Sequence, residues 1–156
     1  CRFYVFARSA EERAFALNLG ADWAGGFDET PPQPLDAIID TTPAWRPIAS
    51  VLRHLAPGGR LVINAIRKED TDKAALLELD YASDLWLEKQ VRSVANVTRE
   101  DVRECLLWAA EAGLHPQVEI YDLADANRAL LDLKSKPVRG AKVLRVASDT
   151  TAPSAI

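Results

Sequence analysis

Residues 35–64 read LDAIIDTTPAWRPIASVLRHLAPGGRLVIN, and the order of that stretch decides the fold. Asp36-Ala-Ile-Ile-Asp40 is a short β-branched run, the signature of a strand. Thr42 can cap a helix and Pro43 suits its first turn, which predicts a helix from there to about Leu55. Pro57-Gly58-Gly59 breaks it, and Arg60-Leu-Val-Ile-Asn64 follows as a second strand, apolar without strict alternation. Unbroken apolar strands are those covered on both faces, as in parallel sheets. Strand, helix and strand joined by short connections also fit a parallel pair, because parallel neighbours need a crossover.

The same alternation extends in both directions. Upstream, Phe3-Tyr-Val-Phe-Ala7 predicts a strand, and Ser9-Ala-Glu-Glu12 a capping box that opens a helix ending at Gly20. Ala21 to Trp23 predicts a second short strand, and residues 25–35 a surface loop rich in turn formers. Downstream, residues 67–89 contain a charged loop and one or two short helices, and residues 91–97 are a further apolar stretch. Thr98-Arg-Glu-Asp101 resembles a second capping box, opening a helix with Val102, Leu106, Leu107 and Ala110 at helical spacing. A strand at 117–121, a helix at 124–133 and a closing strand at 141–146 complete the chain, with residues 148–156 expected to fray as a flexible tail. The fold class is therefore α/β, with a doubly wound, mainly parallel sheet.

Composition sets the bounds. A chain of 156 residues, 48% hydrophobic and 27% charged, has the make-up of one compact domain. A net charge of −4 offers no basic footprint for nucleic acid or an anionic membrane. No apolar run approaches the roughly 20 residues that cross a bilayer, and no basic-then-apolar leader is present. Two dispersed cysteines, Cys1 and Cys105, make no disulfide framework and fit a reducing, cytoplasmic compartment. Cys105, on an apolar helix face, is expected to be a buried, inert thiol. The absence of methionine and the immediate first strand suggest a chain that begins inside a fold.

Open parallel sheets bind ligands outside the carboxyl ends of their strands. The residues there are Arg8-Ser9, Thr41-Thr42, Ala65-Ile66 and Val94-Ala95-Asn96, none of which forms a catalytic constellation. No G-x-G-x-x-G occurs, and Gly25-Gly26 and Gly58-Gly59 fall outside any strand-to-helix turn that could cradle a pyrophosphate. Catalytic zinc needs about three protein ligands and structural zinc about four. His54 and His115 with the two cysteines are too dispersed for either, so no metal site is expected.

Several segments resemble the medium-chain, zinc-type alcohol dehydrogenases. They are Arg13-Ala-Phe-Ala-Leu-Asn-Leu-Gly20-Ala21-Asp22, Leu35-Asp36-Ala-Ile-Ile-Asp40 and Leu55-Ala-Pro57-Gly58-Gly59-Arg60-Leu-Val62. Ser93-Val-Ala-Asn-Val-Thr-Arg99, Ala126-Asn127-Arg-Ala-Leu130 and Val138-Arg-Gly140-Ala-Lys142-Val-Leu144 resemble segments of the propanol-preferring members. The likeness covers about residues 3–146, and order and spacing make it specific.

The resemblance implies a partial NAD(P)-binding, Rossmann-like domain over residues 1–147. It would lack the family's first strand and glycine-rich turn, with the catalytic domain and its zinc outside this chain. The activity implied is NAD(P)-dependent interconversion of alcohols with aldehydes or ketones. This part orients the cofactor and is catalytically incomplete alone, so no residue is assigned a catalytic role. By the family's pattern, Arg8, helped by Ser9 and Arg13, would meet the 2′-phosphate of NADP, where an acid would favour NAD. The alternative is that Ser9 is only a helix cap and Arg8 a solvated strand end. Thr41 and Thr42 match the loop beside the cofactor, and Ala65, Ile66, Ala95 and Asn96 the turns facing the nicotinamide carboxamide. Lys142, with Arg139, lies where the family places a basic residue near the pyrophosphate. A homodimer would pair through a sheet edge in the stretch bounded by Val91 and Val97. A non-catalytic nucleotide-binding or dimerisation module is the competing reading, and an unrelated doubly wound fold such as a methyltransferase is disfavoured by the sequence after Gly59.

Overall fold

The computed structural model describes residues 1–135 and 140–146; Arg139, Val138 and the expected tail 148–156 lie outside them. The chain divides into two compact units, Cys1–Asn96 and Val97–Ile156.

In the first unit, β1 (Tyr4–Phe6) runs into α1 (Ala10–Asn18). The capping box forms as its residues predict. The Glu12 amide donates to the Ser9 hydroxyl at 3.1 Å, and the Ser9 amide donates to the Glu12 carboxylate at 3.1 Å. β2 (Trp23–Gly25) lies parallel to β1, with Tyr4 opposite Trp23 and Phe6 opposite Gly25. It starts two residues later than expected because Ala21 still closes the helix end, its amide donating to the Ala16 carbonyl. Asp22 is also engaged, its side chain accepting from the Phe3 amide at 2.7 Å.

β3 (Leu35–Asp40), β4 (Leu55–Ile63) and β5 (Gln90–Ser93) form a parallel three-stranded sheet in that order. The helix after β3 departs from expectation. α2 spans only Arg46–Val51, with Pro47 in its first turn, and is followed by a 3-10 turn at Leu52–His54. Thr42 does not cap it, because its hydroxyl donates backward to Asp40 at 2.8 Å. The cap comes instead from Asp72, whose carboxylate accepts from the Trp45 and Arg46 amides at 2.9 and 2.8 Å. β4 is longer than expected, since Pro57-Gly58-Gly59 lies inside it as an irregularity: Leu35 faces Leu55, and the next register pair is Ala37 with Arg60. A Cβ at Gly59 would sit 2.8 Å from the Ala56 carbonyl oxygen and 3.0 Å from that of Leu35, which explains a glycine here. Between β4 and β5, where one or two short helices are expected, lie a 3-10 helix (Lys73–Glu78) and a single π-helical turn (Tyr81–Leu85). Ile48, Val51, Leu52, Leu55 and Leu61 make the buried core, with Phe6, Phe27 and Trp45 among the side chains packed on it.

In the second unit, Thr98 and Asp101 form the second capping box at the start of α3 (Arg99–Glu111). β6 (Val118–Asp122) and β7 (Ala141–Arg145) pair in parallel, joined through α4 (Ala126–Ser135). Gly140 leads into β7 at φ +85°, and a Cβ there would lie 1.9 Å from the Gln117 carbonyl oxygen. Cys105 is exposed, not buried as its helix face suggested. No residue of α3 is buried; Leu106 and Leu107 stay 67% and 58% exposed, so the apolar stripe shelters nothing.

Every strand pair among the described residues is parallel and, apart from the loop between β2 and β3, helical segments separate successive strands, a Rossmann-like α/β arrangement. The ladder is divided into sheets of two, three and two strands.

Candidate functional site

The register of the central sheet levels three strand ends. Asp40 faces Ile63, and Ile63 faces Ser93. The Asn64 amide donates to the Asp40 carbonyl at 2.7 Å, and the Val94 amide to the Ile63 carbonyl at 3.2 Å. Thr41-Thr42, Ala65-Ile66 and Ala95-Asn96 therefore follow three neighbouring strands at their carboxyl ends. Thr41, Ile66, Ala95 and Asn96 are exposed, while Thr42 and Ala65 are half-buried. Asn96 takes a left-handed backbone, φ +63°, which asparagine tolerates better than most residues.

The best-defined polar structure at this end is one that sequence reasoning missed. Asp40, 6% exposed, ends β3. The Lys68 ammonium reaches it from the loop after β4, donating to Asp40 Oδ2 at 2.5 Å and to the Thr42 and Ala44 carbonyls at 2.8 Å each. Those three bonds use all the donors an ammonium has. The same ammonium lies 5.7 Å from the Trp45 ring centroid. One residue on, the Glu69 amide donates to the Pro43 carbonyl at 2.8 Å. The carbonyls of Thr42, Pro43 and Ala44 are thus all held from the loop after β4. Lys68 sits in a run of charges that reads as a solvated loop. The signal that could have found it is the acid ending an apolar strand, since a buried carboxylate demands a partner.

Arg8, Ser9 and Arg13 come together at the turn from β1 into α1. Arg13 is half-buried, its Nη1 donating to the Ala7 and Arg8 carbonyls at 3.0 Å each. Arg8 is exposed. Ser9 is occupied as the helix cap, and the hydrogen bonds from its backbone and side chain hold the Glu12 carboxyl below its ordinary range.

Lys142 belongs to the second unit and is engaged there. Its ammonium donates to the Glu119 carboxylate and to the Tyr121 hydroxyl, the latter at 2.8 Å. The Tyr121 hydroxyl donates to Glu119 at 2.5 Å and lies 3.0 Å from Asp132. The pairing with Lys142 lowers the Glu119 carboxyl, and the pairing with Glu119 raises the Lys142 ammonium.

Among the described residues no three His, Cys, Asp or Glu side chains gather as a metal site. His54 stacks on Phe6 at 6.1 Å, and burial, then Arg53 and Lys89, lower its pKa. A cleft of about 370 Å³ lies among residues 30–34 and 53–57. These precede or begin β3 and β4, so the cleft opens at the amino ends, away from the end where open parallel sheets take ligands. Among the described residues no helix is long and apolar enough to cross a membrane.

A family model described as zinc-binding dehydrogenase matches residues 16–144. The chain is 36% identical over 143 residues to a protein described as a probable alcohol dehydrogenase of Mycobacterium tuberculosis, spanning 92% of this chain and 40% of that relative. In structure it is similar to an alcohol dehydrogenase zinc-binding domain protein from Burkholderia ambifaria, with a TM-score of 0.70 at 19% identity, over 94% of this chain and 42% of that one. A Helicobacter pylori structure titled CAD complexed with NADP(H) gives a TM-score of 0.62 at 17% identity, over 91% and 39%. At such identities the structural likeness speaks for the fold. The chain spans about 40% of the length of the curated relative first named above.

Proposed function

The chain belongs to the zinc-binding dehydrogenase family, and from that premise we propose that it is the cofactor-orienting part of an NAD(P)-dependent alcohol dehydrogenase acting between alcohols and aldehydes or ketones. One observation carries the reading: the level carboxyl ends of β3, β4 and β5, followed by Thr41-Thr42, Ala65-Ile66 and Ala95-Asn96. The nicotinamide cofactor, when bound, supplies the hydride chemistry. The chain's own part is to present backbone groups and shape at those turns, with residues 1–147 acting as one cofactor-binding domain. The dispersed His and Cys do not fit a zinc site, so the family's metal would be held by other residues, and nothing in this chain's role runs through it.

Arg8 and Arg13 supply a donor set suited to a phosphate. A guanidinium carries five N–H donors, and Arg13's two backbone bonds engage Nη1 only. We therefore read the preference as NADP(H) over NAD(H). Two further parts of the reading are a homodimer along β5, whose four residues are all exposed at the edge of their sheet, and residence in the cytoplasm, supported by two unpaired thiols.

Calorimetric titration with NADPH, NADH and S-adenosylmethionine tests the proposal. NADPH should bind more tightly than NADH, and Arg8→Ala should weaken NADPH by about tenfold while sparing NADH, the loss of one charge-assisted contact. Equal affinity for both nucleotides overturns the NADP preference. Binding of S-adenosylmethionine alone overturns the family role proposed for the site.

A further inference from the structure

We propose that Lys68 is a positioning residue for the loop of residues 41–45, holding it in the form that meets the nicotinamide half of the cofactor. The inference rests on the reading above that this end of the sheet takes the cofactor. It adds a residue that contacts no ligand and acts through the backbone.

The geometry supports that role over direct contact. The Lys68 side chain is 10% exposed and the three donors of its ammonium are spent on Asp40, Thr42 and Ala44, so none remains for a phosphate or a carboxamide. What it does is fix the loop. Asp40 holds the Thr42 hydroxyl at 2.8 Å through Oδ1 and Lys68 through Oδ2. Lys68 in turn takes the carbonyls on either side of Pro43, and Glu69 takes that of Pro43 itself. Pro43 and Pro47 lack amide donors, and the Trp45 and Arg46 amides are bound by Asp72. With three of its carbonyls claimed from the loop after β4 and these amides claimed by Asp72, the segment is left little freedom to rotate its peptide planes. Two loops that would face the cofactor, those after β3 and β4, are thereby clasped to each other.

The energetic logic is one of population. A site whose competent form is only fractionally populated binds with an affinity reduced by that fraction. Without the ammonium, the Thr42 and Ala44 carbonyls lose their shared donor and Asp40 stays buried with Thr42 as its remaining partner among the contacts described.

The test is binding to the full chain, using NADPH and adenosine 2′,5′-bisphosphate as separate probes, with wild type, Lys68→Met, Lys68→Arg and the double variant Asp40→Asn/Lys68→Met. The double variant removes both charges, so that a buried unpaired carboxylate does not unfold the protein. The expected result is NADPH weakened about tenfold or more in Lys68→Met and in the double variant, partial recovery in Lys68→Arg, and unchanged affinity for the bisphosphate, which lacks the nicotinamide half. Faster amide exchange at residues 41–45 should accompany it. Wild type and both methionine variants binding NADPH equally would overturn the positioning role while leaving the cofactor reading intact. Equal weakening of both probes would also overturn it, since that marks general loss of structure. If wild type binds neither NADPH nor NADH, the cofactor reading fails and this inference falls with it, even where exchange at 41–45 rises.

Discussion

The two units start from the same local grammar and end with different interiors. Each opens a helix with a capping box, Ser9 with Glu12 in one and Thr98 with Asp101 in the other, and each pairs its strands in parallel. In Cys1–Asn96, five apolar residues form a buried cluster, and the Asp40–Lys68 pair ties the end of β3 to the loop after β4. In Val97–Ile156, the buried hydrophobic residues among those described are Tyr121 and Ala129, and Tyr121 is held by a polar cluster with Glu119 and Lys142. Capping and turn chemistry settle where elements begin and end; burial of apolar area settles how firmly they are held. A site meant to orient a cofactor belongs on the firmer of the two, and the candidate turns do lie in the first unit.

Breaking the core should give the largest effect. Leu61 is fully buried in the carboxyl-terminal part of β4. Leu61→Ala should cost about 2–5 kcal/mol of stability in urea unfolding, the range for truncating a buried leucine. A cost near zero would mean that the cluster does not hold the first unit together. In the second unit the comparable weak point is backbone. Gly140→Ala forces a left-handed residue against the Gln117 carbonyl, which accepts from the Ala141 amide at 3.0 Å just ahead of β6. The expected cost is about 1–3 kcal/mol. It should appear as lost hydrogen-exchange protection along β6 and β7, with β3 and β4 unchanged. Loss spread equally over both units would contradict the division.

Much of this was legible from sequence because it is local. Ser9 three residues before Glu12, Thr98 three before Asp101, and glycines 20 and 113 just past their helices each declare a boundary within one turn of chain. What failed was non-local. Thr42 looked like a helix cap because nothing nearby shows that Asp40 claims its hydroxyl and that Asp72, 27 residues beyond Trp45, caps α2 instead. Pro57-Gly58-Gly59 looked like a break because an irregular strand and a turn share the same residues. The candidate site divides in the same way. Its strand-end positions were readable from the alternation, whereas Lys68 was hidden in a charged run and Lys142 is engaged by a cross-strand partner, Glu119. Cys105 misled because a helical stripe predicts a buried face only where another layer covers it.

The smallest expected effect separates the units by pH. Burial, reinforced by Arg53 and Lys89, lowers the His54 pKa below its ordinary 6.5. The unfolded chain then takes up the proton first as pH falls, so the contribution is whole above about pH 6.5 and declines from there toward the lowered folded value. His54 is partly open to solvent, and screening keeps the loss to a few tenths of a kcal/mol. In the second unit the groups with resolved shifts that titrate on the acid side are Asp101 and Glu119, both lowered from ordinary values of 3.8 and 4.5. Their contribution is present above those values and is lost only as pH falls further, through the folded pKa. Between pH 6.5 and 5, hydrogen exchange should therefore quicken slightly in the core of the first unit and not along β6 and β7, after correction for the intrinsic rate. His54→Phe, which keeps an aromatic ring against Phe6, should abolish that difference. Its persistence in the variant would assign the acid sensitivity to another group.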